Sequence, residues 1–318
     1  MKSVLVTGGA GFIGSNLVRE LVRNPSFEVT VIDDLSTGLL SNLSGIDIQI
    51  IQEDISNPDA SIYKNKDGFD TIIHLAARGS VPRSIKEPLL TTKVNLIGTQ
   101  NLLELARHKS SHFIFSSSSS VYGQNLKLPK DEKDWTQPLS PYAASKAAAE
   151  AYVFGYSSSY GFPSSVFRFF NIFGPWQRPN HVYSAVIPKW IWAAMNNQEV
   201  EVFGDGEQTR DFTYVRTVTD VLIEVISQKN PNAGVVNLAY GNRISLNSLI
   251  DNLKGYFQDL SVTYSEPRKG DVLDSQNSPK LVEALFPKCT PVNFNEGLAE
   301  TIEWLKAHKK TIESASSI

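Results

Sequence analysis

Val4-Leu5-Val6 stops at Thr7-Gly8-Gly9-Ala10-Gly11-Phe12-Ile13-Gly14, after which Leu17, Val18, Leu21 and Val22 recur at helical spacing. A buried strand, a glycine turn and an amphipathic helix in that order point to an open α/β sheet of nucleotide-binding type. Gly8, Gly11 and Gly14 let the chain turn tightly, let backbone approach a pyrophosphate and let the helix pack close to the strand. Free amides at the helix start, around Phe12 and Ile13, then meet the anion. A second strand, Glu28 to Ile32, ends at Asp33, roughly 20 residues beyond the glycines, where a carboxylate binds adenosine ribose hydroxyls and repels a 2'-phosphate. The expected cofactor is therefore NAD.

The chain continues in the same alternating pattern. Asp34, Ser36 and Gly38 follow Asp33 into a Ser, Gly and Asn-rich loop, and are assigned to the cofactor with it. A third strand near Ile48 to Ile51 leads to Asp54 and Ile55, placed to flank an adenine ring. Thr71 to Leu75 reads as the next strand, and the small residues after Leu75, Ala76 and Ala77, let a cofactor lie across its end. A long helical segment after Pro88 carries Asn95, a polar residue in an apolar pattern that either satisfies buried backbone or sits beneath the site. His112 to Phe115 is a fifth strand, and it delivers the serine run Ser116 to Ser120 to the carboxyl end of the sheet, where doubly wound folds place their ligands.

Pro141 suits the first position of a helix, and the alanines in Tyr142-Ala-Ala-Ser-Lys146 favour helix, so Tyr142 and Lys146 stand at i and i+4 on one face. A lysine charge within a few ångströms lowers a phenol's pKa from about 10, which would make Tyr142 a base near neutral pH. A hydroxyl of the serine run could hold the substrate oxygen. Beyond Tyr142 a strand from Ser165 to Phe169 places Phe169 at the cofactor, and the character of the chain then changes to aromatics, loops and isolated cations.

A net charge of -3 gives no electrostatic footprint for nucleic acid or an anionic membrane. One cysteine excludes an internal disulfide framework, and five scattered histidines lack metal-ligand spacing. No metal is expected. Met-Lys-Ser enters a strand directly and no apolar run reaches membrane-spanning length, so a cytoplasmic protein is expected.

Together the glycine motif, Asp33, the serines before Val121-Tyr122-Gly123, and Tyr142 with Lys146 resemble the extended short-chain dehydrogenase/reductase family over nearly the whole chain. Within it the sequence looks most like the UDP-hexose 4-epimerases, including the branch that also takes UDP-N-acetylhexosamines. That resemblance implies a doubly wound parallel Rossmann-type sheet with a smaller C-terminal α/β substrate-binding domain. Residues 1–170 would bind NAD and carry the catalytic set, 171–308 would mainly bind the UDP-sugar with some chain returning to the first domain, and 309–318 would be a disordered tail. It implies Ser118, Tyr142 and Lys146 as catalytic residues and a homodimer as the assembly. Ser80, Ser84, Ser120, Asn171, Arg210, Arg268 and Asp271 become the substrate contacts, with a helix cap an equal reading of Ser84, and the arginines because planar guanidinium donors pair two phosphate oxygens at once.

Two further positions bear on the reaction and the sugar. Dehydratase relatives carry Asp-Glu immediately after the catalytic Ser/Thr and decarboxylase relatives a Glu before the Val-Tyr-Gly, whereas Ser119 and Ser120 stand here. Ser275 matches a position where epimerases strict for glucose and galactose carry a tyrosine, which implies room for an N-acetyl group. Arg78 departs from the usual uncharged residue, and a guanidinium turned into the pocket would favour an acidic sugar. The expected reaction is reversible C4 epimerisation of a UDP-hexose. A UDP-glucuronate epimerase or another nucleotide-sugar oxidoreductase is the nearer alternative, and a non-catalytic NAD sensor the more distant one.

Overall fold

The structure is a computed structural model describing residues 1–181, 184–228, 233–267 and 274–314. The first half alternates strand and helix: β1 (Lys2–Thr7), α1 (Phe12–Leu21), β2 (Phe27–Ile32), β3 (Gln49–Ile51) and β4 (Thr71–His74). Then come α2 (Val81–Lys86), α3 (Pro88–Thr92), α4 (Gly98–Lys109), β5 (His112–Ser118), α5 (Pro141–Tyr160) and β6 (Ser164–Phe169). The second half holds β7 (Asn171–Phe173), α6 (Val186–Met195), β8 (Val200–Phe203), β9 (Thr209–Tyr214), α7 (Val215–Ser227) and β10 (Gly234–Leu238). It closes with β11 (Arg243–Ser245), α8 (Leu246–Lys254), β12 (Val262–Ser265), α9 (Lys280–Leu285), α10 (Phe294–Ala307) and α11 (Lys309–Ser314).

Seven strands pair in the order β10-β6-β5-β4-β1-β2-β3, every pair parallel. A parallel sheet is covered on both faces, so its strands read as apolar runs whose successive side chains enter opposite cores. That division is visible residue by residue. Val4 and Val6 of β1, Ile73 of β4 and Phe167 of β6 enter one core with Leu17 of α1 and Val218 of α7. Leu5, Ile72 and Val166 enter the other with Leu102 of α4 and Val153 of α5. Strands β11, β9 and β7 form a second, three-stranded sheet, and β12 pairs with β8.

Three expectations change in detail. Strand β5 runs on through Ser118, with Ser116, Ser117 and Ser118 opposite Phe167, Arg168 and Phe169, because strand pairing uses backbone and these hydroxyls find partners of their own. The helix expected after Pro88 is interrupted by a π-helical turn at Lys93–Ile97 that contains Asn95. Such turns insert an extra residue and are frequent at functional sites. The tail is helical through Ser314: Lys309 Nζ donates to the Met195 carbonyl at 3.1 Å and Ile312 packs against the core. Residues 315–318 lie outside the described set.

Candidate functional site

The carboxyl ends of β1, β4, β5 and β6 open into a cavity of about 470 Å³, within the usual size range of ligand pockets. Gly8 sits at φ +70° with its Cα against β4; a Cβ there would stand 2.7 Å from the Ala76 nitrogen. At Gly14 a Cβ would fall 2.2 Å from the Gly8 carbonyl oxygen. Backbone alone therefore fits in this turn. No side chain caps the start of α1, which leaves its first-turn amides to face the cavity. Asp33 is buried at the end of β2 and accepts from the Ala10 and Leu35 amides, both at 2.9 Å. Burial raises its pKa and those two amides lower it.

All of Gly8, Gly11, Phe12, Ile13, Gly14, Asp33, Asp34, Ser36, Asp54, Ile55, Leu75, Ala76, Ala77 and Phe169 line this cavity. Two expected cofactor residues lie behind the wall instead. A Cβ on Gly38 would stand 2.9 Å from Asp33 Oδ1, so this glycine makes room for the carboxylate. Asn95 is buried, accepts from the Arg78 amide at 2.7 Å and donates to Ser145 Oγ at 2.9 Å, which ties the π-turn to both the cavity wall and α5. A glycine cradle that leaves no room for side chains, free amides and a buried carboxylate at the second strand fit a dinucleotide with free ribose hydroxyls.

Helix α5 starts where the sequence says it should. Ser140 Oγ accepts from the Ala143 amide at 3.1 Å and Pro141 opens the first turn. Its Tyr142 and Lys146 line the cavity together with Ser118 of β5. The Tyr142 hydroxyl is hydrogen-bonded with Ser118, whose Oγ accepts from Ser120 Oγ at 2.8 Å and the Ser120 amide at 3.2 Å. Ser120 itself does not line the cavity and acts through Ser118. Lys146 Nζ donates to the Ser116 carbonyl at 2.7 Å. Burial pushes the Lys146 pKa down to about 7, against the opposing pull of the Glu150 carboxylate. For Tyr142 burial likewise dominates and raises the phenol, with the Ser118 hydrogen bond lowering it. The simple expectation that the lysine charge depresses the phenol is thus corrected. The ammonium is bonded to a backbone carbonyl, and the phenolate's loss of water weighs more.

Below these groups lies a closed chain of hydrogen bonds. Thr99 Oγ1 donates to the Asn95 carbonyl at 2.6 Å, so it accepts from His74 Nε2 at 2.9 Å. His74 Nδ1 then accepts from Thr7 Oγ1 at 2.8 Å, which in turn accepts from the Ala76 amide at 3.1 Å. This direction of donation keeps the imidazole neutral, and burial followed by the Lys146 charge holds its pKa well below the ordinary value. His74 is a bolt between strand ends.

The expected substrate contacts sit differently from expectation. Ser80 lines the cavity while capping α2 through the Arg83 amide at 3.2 Å. Ser84 is fully buried and donates to the Val81 carbonyl at 2.7 Å, so the helix and not the cavity uses its hydroxyl. Asn171, Arg210 and Ser275 are also outside the cavity lining. Arg210 Nη1 donates to the Thr209 carbonyl at 2.9 Å, and the Ser275 amide donates to the same oxygen at 3.1 Å. Arg268 and Asp271 lie outside the described residues. In place of these, the loop after β7 supplies Trp176, Gln177, Arg178 and His181. Trp176, at φ +68°, is held between the Arg19 guanidinium at 4.2 Å and the Trp304 ring at 5.0 Å. The signal in the sequence was a strand running into Gly174-Pro175 and then a dense set of aromatic, amide and cationic side chains. Arg78 lines the cavity and pairs its Nη2 with Glu87 at 2.7 Å, while Arg83 Nη2 meets His181 Nε2 at 3.3 Å.

Among the described residues no group of three His, Cys, Asp or Glu side chains is placed to hold a metal ion, and no helix is long and apolar enough to cross a membrane. Residues 4–239 match the model of the NAD dependent epimerase/dehydratase family. The UDP-N-acetylglucosamine 4-epimerase of Methanobrevibacter ruminantium M1, solved in complex with UDP-N-acetylmuramic acid, is 38% identical with a TM-score of 0.90, covering 96% of this chain and 99% of that one. The UDP-glucose 4-epimerase of Thermotoga maritima, solved with UDP-glucose, is 33% identical over the same shares, also at a TM-score of 0.90. Human dTDP-D-glucose 4,6-dehydratase is 32% identical over 98% of this chain and 89% of its own length.

Proposed function

The chain belongs to the NAD-dependent epimerase/dehydratase family, and from that premise we propose that it inverts C4 of a UDP-hexose reversibly, keeping NAD bound throughout. When bound, NAD supplies hydride acceptance from C4 and its return. The glycine turn and the first turn of α1 hold the pyrophosphate, and Asp33 holds the adenosine ribose. Tyr142 takes the proton from O4 of the sugar and later gives it back, general-base and general-acid work for one phenol. Ser118, hydrogen-bonded to Tyr142 and fed by Ser120, orients O4 and passes the proton. Lys146 binds the nicotinamide ribose and offsets the phenolate charge.

The observation that carries this reading is the joining of Ser118, Tyr142 and Lys146 at one wall of the cavity with Ser119 and Ser120 next in the chain. Dehydratase and decarboxylase relatives carry carboxylates at those positions where this chain has hydroxyls, which supports epimerisation over elimination of water or loss of carbon dioxide. Among epimerase substrates, the family resemblance at Ser275, which lies outside the cavity lining, supports UDP-glucose/galactose and their N-acetylated forms. A second reading, a sugar carrying a carboxylate, is favoured by Arg78, Arg83, Arg178 and His181 along the same cavity. The assembly is a homodimer built on α2 to α5, whose outer surface exposes Ile85, Leu89, Leu90 and Tyr152.

Purified protein incubated without added cofactor should convert UDP-galactose and UDP-GalNAc to their C4 epimers, read by NMR. Conversion of UDP-glucuronate alone would favour the second reading. Tyr142→Phe should abolish turnover while NAD stays bound. A variant that keeps substantial activity would remove Tyr142 as the base.

A further inference from the structure

Glu150 is a buried carboxylate to which the reaction above gives no task. It stands on α5 one turn beyond Lys146 and two beyond Tyr142, so the three side chains follow one face of the helix. Three donors reach it: Ser117 Oγ at 2.5 Å, Arg168 Nε at 2.9 Å and Arg168 Nη2 at 2.8 Å. Arg168, also buried, donates Nη1 to the Tyr122 hydroxyl at 3.0 Å, and Tyr122 donates onward to Asn237 Oδ1 at 2.7 Å. One carboxylate thereby ties α5 to β5, β6 and, through Tyr122, β10.

Its position in the chain of contacts matters most. Ser117 lies between Ser116, whose carbonyl receives Lys146 Nζ, and Ser118, whose hydroxyl meets Tyr142. Sliding α5 along β5 would have to break the Glu150 bond to Ser117 together with the Lys146 bond to Ser116. A buried ion pair that is bidentate and fully hydrogen-bonded costs several kcal/mol to disrupt from one side, which makes it a stiff link.

We propose that Glu150 is a positioning residue, clamped by Arg168 so that the strand carrying Ser118 and the helix carrying Tyr142 and Lys146 keep one register, and that it supplies the negative charge facing Lys146 from the interior. The other titratable groups are Tyr142 on the same helix, neutral His74 from β4, which feels the Lys146 charge, and, on the Glu150 side, Arg168 from β6 and Tyr122 from the turn after β5. Of these only Arg168 carries a permanent charge, and Glu150 answers it. With Glu150 neutralised the surroundings turn net positive, and both Lys146 and Tyr142 bind their protons less tightly.

The activity part of this inference rests on the reaction proposed above; the titration part does not. Tyr142 is titrated in NAD-bearing protein by ultraviolet difference absorbance, each sample read against its Tyr142→Phe counterpart. Glu150→Gln is expected to lower the Tyr142 midpoint by about one pH unit, an ordinary effect of one nearby charge. Glu150→Gln/Arg168→Gln, which removes the pair as a neutral whole, should return the midpoint towards wild type. In both, kcat for the UDP-sugar should fall about 10- to 100-fold with KM little changed, since the clamp is gone in each. An unmoved midpoint in Glu150→Gln, or equal shifts in the single and double variants, overturns the proposal. Should Glu150→Gln fail to fold, Ser117→Ala leaves the ion pair intact: a lower kcat at an unchanged Tyr142 midpoint supports the clamp, and an unchanged kcat overturns it. Wild-type protein that converts no UDP-sugar, with the Tyr142 midpoint still shifted in Glu150→Gln, counts against the reaction and supports the placement.

Discussion

A methyl group on residue 14 would stand 2.2 Å from the Gly8 carbonyl oxygen and 2.7 Å from the Gly9 Cα, both backbone atoms that cannot rotate away. Gly14→Ala should therefore cost on the order of 1–3 kcal/mol through overpacking, and it should also open the cradle for the pyrophosphate. Thermal unfolding measures the first, and the NAD absorbance of purified protein the second. A variant that keeps both would contradict the close approach of α1 to β1. Positions of this kind are legible in sequence because their demand is local: a glycine turn, an acid at the strand end, a phenol and an ammonium one helical turn apart. Arg83 and His181 are not legible in that way. Arg83 and His181 are 98 residues apart in the chain and meet at 3.3 Å only after the sheet has brought α2 against the loop after β7.

His74 shows what individual elements owe to single buried groups. It bolts the ends of β1 and β4 to the start of α4 through Thr7 and Thr99, and it does so as a neutral ring. Because burial holds its folded pKa well below the ordinary value, the unfolded chain takes up a proton first as pH falls through about 6.5. Stability conferred by this group is complete above that pH and lost below it, at up to about 1.4 kcal/mol per pH unit for one proton. Melting temperature should drop between pH 6.5 and 5 more steeply in wild type than in His74→Asn. Equal slopes would mean another group governs acid sensitivity. The sequence places a single histidine at this strand end. It could not show the π-turn at Lys93–Ile97, since one inserted residue leaves helical periodicity almost unchanged over so short a span. Nor could it show β5 running through Ser118, because propensity for serine is overridden by pairing with β6.

At the scale of the molecule, α2 to α5 lie together as one layer and leave Leu89 86% and Ile85 66% exposed. Apolar side chains gathered so openly support the association surface proposed above. Wild-type protein should sediment as a dimer and Leu89→Lys as a monomer with its fold intact; a monomeric wild type would rule the surface out. The two-part organisation expected from the sequence also meets the sheet order here. Strand β10, from residues 234–238, forms the outermost rung beside β6, and Phe167, Arg168 and Phe169 of β6 pair with its backbone. A chain ending near residue 170 would leave that rung missing and a long apolar edge unpaired, an invitation to stack on its neighbours. The nucleotide-binding half is thus sealed from outside its own sequence, and during synthesis it stays unfinished until the ribosome has added the residues that close it.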